Sequence, residues 1–320
     1  MSATYDQSTP ANGGSGLRLS GRRPILFFTL LFTVLISSGC LVRSRERIKT
    51  YKPPAGWKET TLAALLDSLR AQEAAIKTLN ATVDVEPSVT SAAKGEVVHY
   101  RDVRSFLLIR RPGWLRMIGL YPVVRNTAFD LTSDGDKFQL YVPSKDKLVI
   151  GSAVSTKHST SALENLRPHH ILEALLWRSP DPAREKAALE VIDEPTMSHY
   201  VVNILATNGD GQLELSRKIW FERAGLTVDR LQVYETGGLL ATDARYSNYG
   251  EFAGISYPQN IVIDRPQDQY GLALTVTRLV FNEELGEEKF KMERPEGATV
   301  MNLDAPAATS DSAPKEGTTN

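Results

Sequence analysis

Residues 128–142 read AFDLTSDGDKFQLYV and predict the element from which the fold is built. In the second half of this stretch apolar and polar residues alternate, as on a strand with one buried face: Phe138, Leu140 and Val142 lie on one side. The preceding Ser133-Asp134-Gly135-Asp136 consists of residues that favour a β-hairpin turn. The stretch therefore predicts two antiparallel strands joined by a tight turn.

The same pattern extends along the chain on both sides of this hairpin. Polar or Gly- and Pro-containing turns, such as Pro112-Gly113 and Asn208-Gly209, separate short runs of alternating hydrophobicity. The predicted strands cover residues 82–85, 95–110, 114–120, 128–132, 137–142, 147–150, 188–192, 199–206, 212–221, 227–235, 239–246, 261–264 and 272–282. Strands joined by short polar turns predict an antiparallel meander.

Two segments have the periodicity of helices. In residues 60–79, leucine and isoleucine recur at steps of three and four, and no Gly or Pro interrupts the pattern. Residues 168–177 have similar spacing, and Pro168 suits the first turn of a helix. The prolines that follow, at 180 and 182, predict the end of this second helix.

Together these elements predict a mainly β (α+β) fold, a half-open antiparallel β-barrel of about eleven strands covered by helices. A sheet of that size is too large to stay flat, so we expect it to curl. The domain is expected to cover residues 59–303, and the Ala-, Pro- and Ser-containing residues 304–320 are expected to form a disordered tail.

The amino-terminal segment predicts a lipoprotein signal. A basic lead precedes an apolar run from Ile25 that is shorter than the roughly 20 residues of a membrane span. The run ends in Ser38-Gly39-Cys40, which resembles the lipobox of bacterial lipoproteins, where the preceding peptide is removed and the cysteine carries diacylglycerol. We expect residues 1–39 to be a signal peptide, Cys40 to be lipidated and residues 40–58 to be a tether. The alternative is a buried thiol in an uncleaved anchor.

Charge and motifs exclude several classes of function. Removal of residues 1–39 takes away three arginines and one aspartate, so the net charge changes from −1 to −3, which excludes a strongly basic nucleic-acid binder. Because Cys40 is the only cysteine, zinc sites built on thiolates are excluded. The sequence has no G-x-S-x-G elbow, P-loop, G-x-G-x-x-G or H-E-x-x-H motif. We therefore predict no catalytic residue, no metal ligand and no cofactor other than the acyl groups on Cys40, and we expect a protein that is not an enzyme.

One predicted turn is unusually apolar. Residues 118–124 read IGLYPVV, where the strand from Trp114 should turn back. Turns are normally polar, so an apolar turn is either folded beneath a helix or exposed for contact with lipid or a partner. The residues alone leave both possibilities open.

Nearly all of the mature chain resembles the LolA/LolB superfamily of lipoprotein carriers and receptors. The resemblance is carried by the lipobox, the amphipathic first helix, the long meander, and residues 110–116 (RRPGWLR), 131–135 (LTSDG), 138–141 (FQLY), 257–258 (YP), 275–282, Phe290 and 294–298 (RPEGA). It implies a half-open barrel with an apolar cavity for acyl chains. LolA is soluble, whereas LolB is anchored by lipid, so Cys40 indicates a LolB-like member.

The resemblance also implies site residues and a location. An apolar loop that helps to insert cargo into the membrane corresponds to Leu120, Tyr121 and Val123. Inward-facing candidates for the lining of the cavity are Leu115, Met117, Phe129, Leu131, Phe138 and Leu140. Leu41 after the lipidated cysteine, in place of aspartate, implies the outer membrane, with the domain facing the periplasm.

Two functions remain open after these observations. The first is a lipid-anchored protein that binds acyl chains or lipoproteins, accepts them from a periplasmic carrier protein and helps to place them in the outer membrane. The second is a structural or regulatory envelope lipoprotein that uses the same fold to bind a protein partner, with its groove filled by the first helix.

Overall fold

The computed structural model describes residues 56–91, 96–154, 165–194, 197–293 and 295–304. The predicted signal peptide, Cys40, most of the predicted tether and residues 305–320 lie outside the described residues. All described residues belong to one compact unit, Pro53–Asn320.

The described residues form two α-helices and fifteen strands. The helices are α1 (Leu62–Ala75) and α2 (Pro168–Leu175). The strands are β1 (Thr78–Ser91), β2 (Glu96–His99), β3 (Val103–Arg110), β4 (Trp114–Leu120), β5 (Thr127–Asp134), β6 (Lys137–Val142), β7 (Lys147–Ser152), β8 (Glu185–Glu194), β9 (Met197–Thr207), β10 (Leu213–Glu222), β11 (Val228–Tyr234), β12 (Leu240–Phe252), β13 (Ile255–Arg265), β14 (Tyr270–Phe281) and β15 (Thr299–Asn302). Short 3₁₀ turns cover Pro143–Lys145 and Glu287–Phe290.

All fifteen strands belong to one open sheet. Its order is β15-β7-β6-β5-β4-β3-β1-β14-β13-β12-β11-β10-β9-β8, with β2 paired to β1 off this path. Two meanders, β3 to β7 and β8 to β14, are therefore joined by β1, which pairs with β3 and β14. The predicted mainly β fold with an open, antiparallel sheet is confirmed. The hairpin at Asp134 forms as predicted, and Gly135 adopts φ +102°, a left-handed conformation that favours glycine.

The sheet curls around α2, because this helix contacts strands from both meanders. It packs against β5 in the first meander and β12 in the second. Tyr246 and Tyr257 donate hydrogen bonds from their hydroxyl groups to the backbone carbonyls of Ala174 and Leu175, at 2.7 and 2.8 Å. From the other meander, the ring of Phe138 lies 5.2 Å from the guanidinium of Arg167, the residue before the helix. The concave face of the sheet is therefore the side that holds the helices and the core.

Two differences from the predicted elements have clear physical reasons. The first helix ends at Ala75, not at residue 79. Ile76 follows the helix and Leu79 is the second residue of β1, and both are buried there. Two apolar residues three positions apart fit the spacing of a helix, but they can equally be buried outside one, so the spacing does not mark where the helix ends. The fifteen strands of the sheet also exceed the predicted number of about eleven. Residues 95–110 form two strands, and β15 was not predicted because four residues carry too little periodicity. Its pairing with β7 is parallel, unlike the rest of the sheet.

Candidate functional site

An apolar groove opens on the concave face of the sheet at one end of its strands. It encloses about 420 Å³ between β1 and β14 on one side and β6 on the other. Its lining is mostly apolar: Pro87, Ser88, Val89, Tyr100, Val142, Lys145, Leu166, Tyr270, Gly271 and Leu272. The same end of the strands carries the turns 100–102, 121–126, 143–146 and 266–269. We call this end of the sheet the loop rim.

Strand alternation places the groove residues on the concave face. Val83 and Val85 of β1 are buried there, so Val89 in the same strand points to the same side. Leu272 and Leu274 share this face on β14. Nearer the rim, Val89 and Leu272 are half-buried, in contrast to Val83, Val85 and Leu274. Tyr100 is held beside them because its backbone N–H donates to the carbonyl of Pro87 at 2.8 Å.

Five of the six residues predicted to line a cavity lie deeper on the same face, in the packed core. Leu115, Met117, Leu131, Phe138 and Leu140 are all buried. They belong to one continuous apolar cluster that includes residues of both helices. In this structure they pack as core, and their role in binding an acyl chain stays a prediction.

The sixth residue, Phe129, is half-buried and lies nearest to the loop rim. It faces Gly119 across the β4–β5 pair. A side chain at Gly119 would meet the Phe129 ring at 2.3 Å, so glycine is required for this close approach. The Phe129 ring thus fills the space that a side chain at 119 would take, next to the apolar loop.

The apolar loop between β4 and β5 is exposed, which resolves the alternative left open by the sequence. The exposed fraction is 39% for Tyr121, 92% for Val123 and 63% for Val124. Leu120, the last residue of β4, is half-buried. The loop is closed by a hydrogen bond from the N–H of Tyr121 to the carbonyl of Asn126 at 3.0 Å. No described helix covers it.

Further exposed apolar side chains lie on the loop rim. Val97 and Val98 of β2, and Tyr100 after it, are each about half exposed, between 48% and 54%. Leu239, in the turn before β12, is exposed at the same end of the sheet. Exposed apolar surface marks contact with lipid or with a partner. Because the groove and these side chains lie at the same end of the sheet, we treat them as one candidate site.

At the opposite end of the strands, Arg111 holds both helices against the sheet. Its side chain donates to the carbonyl of Ile76 at the end of α1, at 2.9 Å, and to the carbonyl of Trp177 after α2, at 3.0 Å. Burial lowers the pKa of Arg111 from its usual value. Glu73 of α1 in turn accepts hydrogen bonds from the backbone and hydroxyl of Ser179, at 2.8 and 2.6 Å. These contacts hold both helices against the concave face at the end of the strands opposite the groove.

A buried ionic network that the sequence did not reveal fixes the segment after α2. Glu185, at the start of β8, accepts hydrogen bonds from Arg178 and Arg217, both at 2.9 Å. Arg217 is only 2% exposed, and its Nε and Nη1 have no hydrogen-bond partner among the described residues. Burial lowers the pKa of Arg217 from its usual value. Strand alternation places Arg217 inward, but a single arginine in a strand gives no sign of its buried partner.

A second polar cluster lies beside the groove. Arg265 donates to Asp268 at 2.7 Å and to the hydroxyl of Thr242 at 2.7 Å, and all three residues are buried. Tyr270, which lines the groove, follows Asp268 by two residues. Burial raises the pKa of the Tyr270 hydroxyl well above its usual value, so the ring stays neutral. The wall of the groove therefore carries no charge at this position.

The described residues contain no group of three or more His, Cys, Asp or Glu side chains that could hold a metal ion. Asp134 acts as a turn residue, because its carboxylate accepts from the backbone N–H groups of Asp136 and Lys137. Among the helices of the described ranges, none is long and apolar enough to cross a bilayer.

The lining of the groove was not predicted from the sequence. Its residues come from β1, β6, β14 and the segments next to β3 and α2, which are far apart in the chain. Alternation could predict that Val142 faces inward with Phe138 and Leu140. Only the curl of the sheet brings Val142 towards Leu272.

Comparison with known proteins gives matches among solved structures only. No family model and no curated protein matches the sequence. An outer membrane lipoprotein-sorting protein domain from Vibrio parahaemolyticus, described as putative, has a TM-score of 0.47 and 14% identity, over 71% of this chain and 94% of that one. A LolA superfamily protein from Nitrosomonas europaea has a TM-score of 0.48 and 11% identity, over 73% and 99%. A DUF1329 family protein from Desulfovibrio piger has a TM-score of 0.46 and 14% identity, over 73% and 98%.

These matches are likenesses of fold alone. At these identities and TM-scores the likeness carries no information on ligand or mechanism. It does not distinguish a LolA-like from a LolB-like protein.

Proposed function

We propose that this protein is a lipid-anchored protein of the bacterial envelope that binds acyl chains or lipoproteins at the loop rim and helps to place them in the outer membrane. Cys40 would carry the anchor, and the domain would face the periplasm. A periplasmic carrier protein would deliver the cargo. The mechanism is non-covalent, so it needs neither a cofactor nor a catalytic residue.

The observation that carries this proposal is that the apolar groove and the exposed apolar loop lie at the same end of the sheet. Transfer of an acyl chain from water into apolar surroundings contributes about 0.8 kcal/mol per CH₂ group. A chain of about a dozen carbons or more therefore needs only an apolar slot with few polar groups. The groove has this character at Val89, Val142 and Leu272, and Val123 on the same rim is exposed enough to enter a lipid surface.

The proposal can be tested with a charge in the groove. Leu272→Glu would place a carboxylate among the apolar side chains, where an acyl chain can no longer bind without burying that charge. We expect the affinity of the full chain for a diacylated lipopeptide to fall at least about tenfold, because roughly two buried methylene groups are worth that factor. Binding is measured by native mass spectrometry and by displacement of a fluorescent fatty acid.

A matched control lies on the other face of the same strand. Val280→Glu also introduces a carboxylate into β14, but at an exposed position of the convex face. This variant should bind the lipopeptide as the unchanged protein does. If both variants lose affinity equally, or if the unchanged protein binds no lipopeptide, then the groove is not an acyl site.

A second candidate function is supported by the filled interior. Leu65 and Leu69 of α1 are buried in the same cluster as Leu115 and Leu131, so the concave face beneath the helices is occupied. A structural or regulatory lipoprotein that binds a protein partner needs no space for lipid there. The lipopeptide experiment separates the two functions, since this alternative requires that neither Leu272→Glu nor the unchanged protein shows lipid binding.

A further inference from the structure

The two edges of the open sheet differ in how they end. On one side the chain returns after β14 and adds β15 to β7, so the edge strand there is only the four-residue Thr299–Asn302, and short edge strands offer little backbone for pairing. On the other side the strand order ends at β8, and no described strand pairs with its outer edge. An edge strand presents unpaired N–H and C=O groups that can accept another strand.

β8 has the length and composition of a strand that can pair along this edge. It runs over ten residues, Glu185–Glu194, and its sequence EKAALEVIDE contains neither Pro nor Gly. Pro182 and Pro195 lie outside both of its ends. Proline is a common residue by which edge strands are protected from pairing, and it is absent within the strand itself.

Apolar side chains flank the open edge on the concave face. Ala187 and Leu189 are half-buried and pack against the core, and Val191 is 53% exposed. A strand added here would cover part of this row while it hydrogen-bonds with the backbone. The edge therefore offers both kinds of contact on which recognition by strand addition depends.

The charges on the convex face of β8 are complementary to those of a second, antiparallel copy of the same strand. Lys186, Ala188 and Glu190 alternate along this face and are all exposed. Lys186 forms no ion pair with a described residue, and Glu190 has only Asn203 at 3.0 Å and Lys218 at 3.9 Å. Lys186 and Glu190 are four positions apart with a small residue midway. An antiparallel copy of the same strand would set each opposite its complement.

We propose that β8 pairs with β8 of a second copy of this chain, in an antiparallel arrangement around a twofold axis at Ala188. In this register Lys186 faces Glu190 of the partner subunit and Glu190 faces the partner subunit's Lys186. Ala187 faces the partner's Leu189 on the concave side. Directly opposite residues of an antiparallel pair have their Cβ atoms about 4.5–5.5 Å apart, close enough for these contacts. The pairing involves neither the groove nor the loop rim surface, so it does not depend on what the groove binds.

The reciprocal charges give a direct test by sedimentation velocity of the full chain in detergent. In a dimer of Lys186→Glu, glutamate faces glutamate at both contacts between positions 186 and 190. In a dimer of Glu190→Lys, lysine faces lysine at both contacts. Like charges in opposite positions destabilise a sheet. Each variant alone should raise the dissociation constant of the dimer about tenfold or more. A mixture of the two variants should form a heterodimer, because every pair is then complementary. Lys137→Glu, an exposed substitution on β6, is the control for net charge and should stay dimeric.

Cross-linking tests the register in membranes. Ala188→Cys should form a disulfide-linked dimer on oxidation, whereas Lys218→Cys on β10 should not. The unchanged chain shows whether Cys40 itself cross-links. The proposal would be overturned if the unchanged chain were monomeric or if each charge variant alone stayed dimeric. It would also be overturned if the variants were monomeric and did not form a heterodimer on mixing. If the unchanged protein bound no lipopeptide, the proposed function would fail, but the pairing of β8 would not be affected.

Discussion

At the scale of single residues, Glu185 is a buried carboxylate that pairs with two arginines. Burial opposes the ionisation of this carboxyl group. The hydrogen bonds from Arg178 and from the backbone of Asp181, together with the charge of Arg217, outweigh the burial, so the pKa of Glu185 lies below its usual value. Without the carboxylate, Arg217 would be a buried cation without a compensating charge.

The first prediction concerns the pH dependence of stability. A carboxyl group whose pKa is lowered by folding stabilises the protein above the pKa of the unfolded chain, and this contribution is lost as the pH falls through the folded pKa. Glu185→Gln should therefore lower the free energy of unfolding by about 3–5 kcal/mol at pH 7, the range for a broken buried ion pair. The difference from the unchanged protein should shrink as the pH falls below about 4.5, towards the protonated form of Glu185.

Urea unfolding at pH 7 and at pH 4 measures both effects. Glu251→Gln, at an exposed position of β12, is the control and should change the free energy of unfolding by less than about 0.5 kcal/mol. A difference between Glu185→Gln and the unchanged protein that stays constant over this pH range would show that the carboxylate is not the stabilising group.

At the scale of elements, the β4–β5 loop and the groove should act in sequence during transfer. In the proposed function the groove would hold an acyl chain away from water, and the loop would be the apolar element that contacts lipid from the same rim. Because the side chains of the loop are exposed, substitutions there should leave the fold intact and change only contact with lipid.

The loop prediction uses Val123, which is 92% exposed. Full burial of a valine side chain is worth about 1.5 kcal/mol, which corresponds to roughly tenfold in an equilibrium constant. Val123→Glu should slow the transfer of a fluorescent diacylated lipopeptide to liposomes by about that factor, with an unchanged midpoint of urea unfolding. Val262→Glu, on the exposed face of β13, should transfer at the normal rate.

A direct measure of insertion uses the anchored protein in liposomes. A cysteine at Val123 that carries an environment-sensitive fluorophore should report an apolar environment. The same label at Glu251, at the opposite end of the strands, should report water. Equal signals at both positions would mean that the loop rim does not contact the bilayer.

At the scale of the whole molecule, Arg111 connects three parts of the fold. It lies after β3 and donates to carbonyl groups at the ends of both helices. For an acyl chain to reach Leu115 or Leu140, the helices must move away from the concave face, and these hydrogen bonds would have to break. In the structure these residues are packed as core.

The whole-molecule prediction follows from these contacts. Arg111→Met keeps the aliphatic stem but removes both hydrogen bonds, each worth about 1.5–3 kcal/mol when the donor is charged. We expect the free energy of unfolding to fall by about 3 kcal/mol, and amide hydrogen exchange to accelerate in α2 and the last turn of α1. Arg70→Met removes only an exposed ion pair with Asp67 and should leave exchange unchanged. Faster exchange spread evenly over the sheet in Arg111→Met would contradict a local release of the helices.

The strand pattern was predictable from the sequence because alternation and turn chemistry are local. β4 and β6 begin and end where their alternation predicts, and α2 begins at the predicted Pro168. Local pattern could not separate Ile76 and Leu79 from the helix before them, and it gave no sign of β15 in Thr299–Asn302. Both depend on which surface of the folded sheet is available to bury or pair these residues.

The sequence by itself determined the class of the fold, the position of the apolar loop and the predictions for Cys40, because these follow from periodicity, composition and short motifs. Only the tertiary structure decided that the loop is exposed, that Glu185 and Arg217 form a buried pair, and that β8 ends the sheet unpaired. It also brought Val89, Val142 and Leu272 to one groove. The physical reason is that each of these features is a contact, or the absence of one, between segments that are distant in the chain. Such contacts arise from the curl and order of the sheet, on which no local pattern of residues carries information.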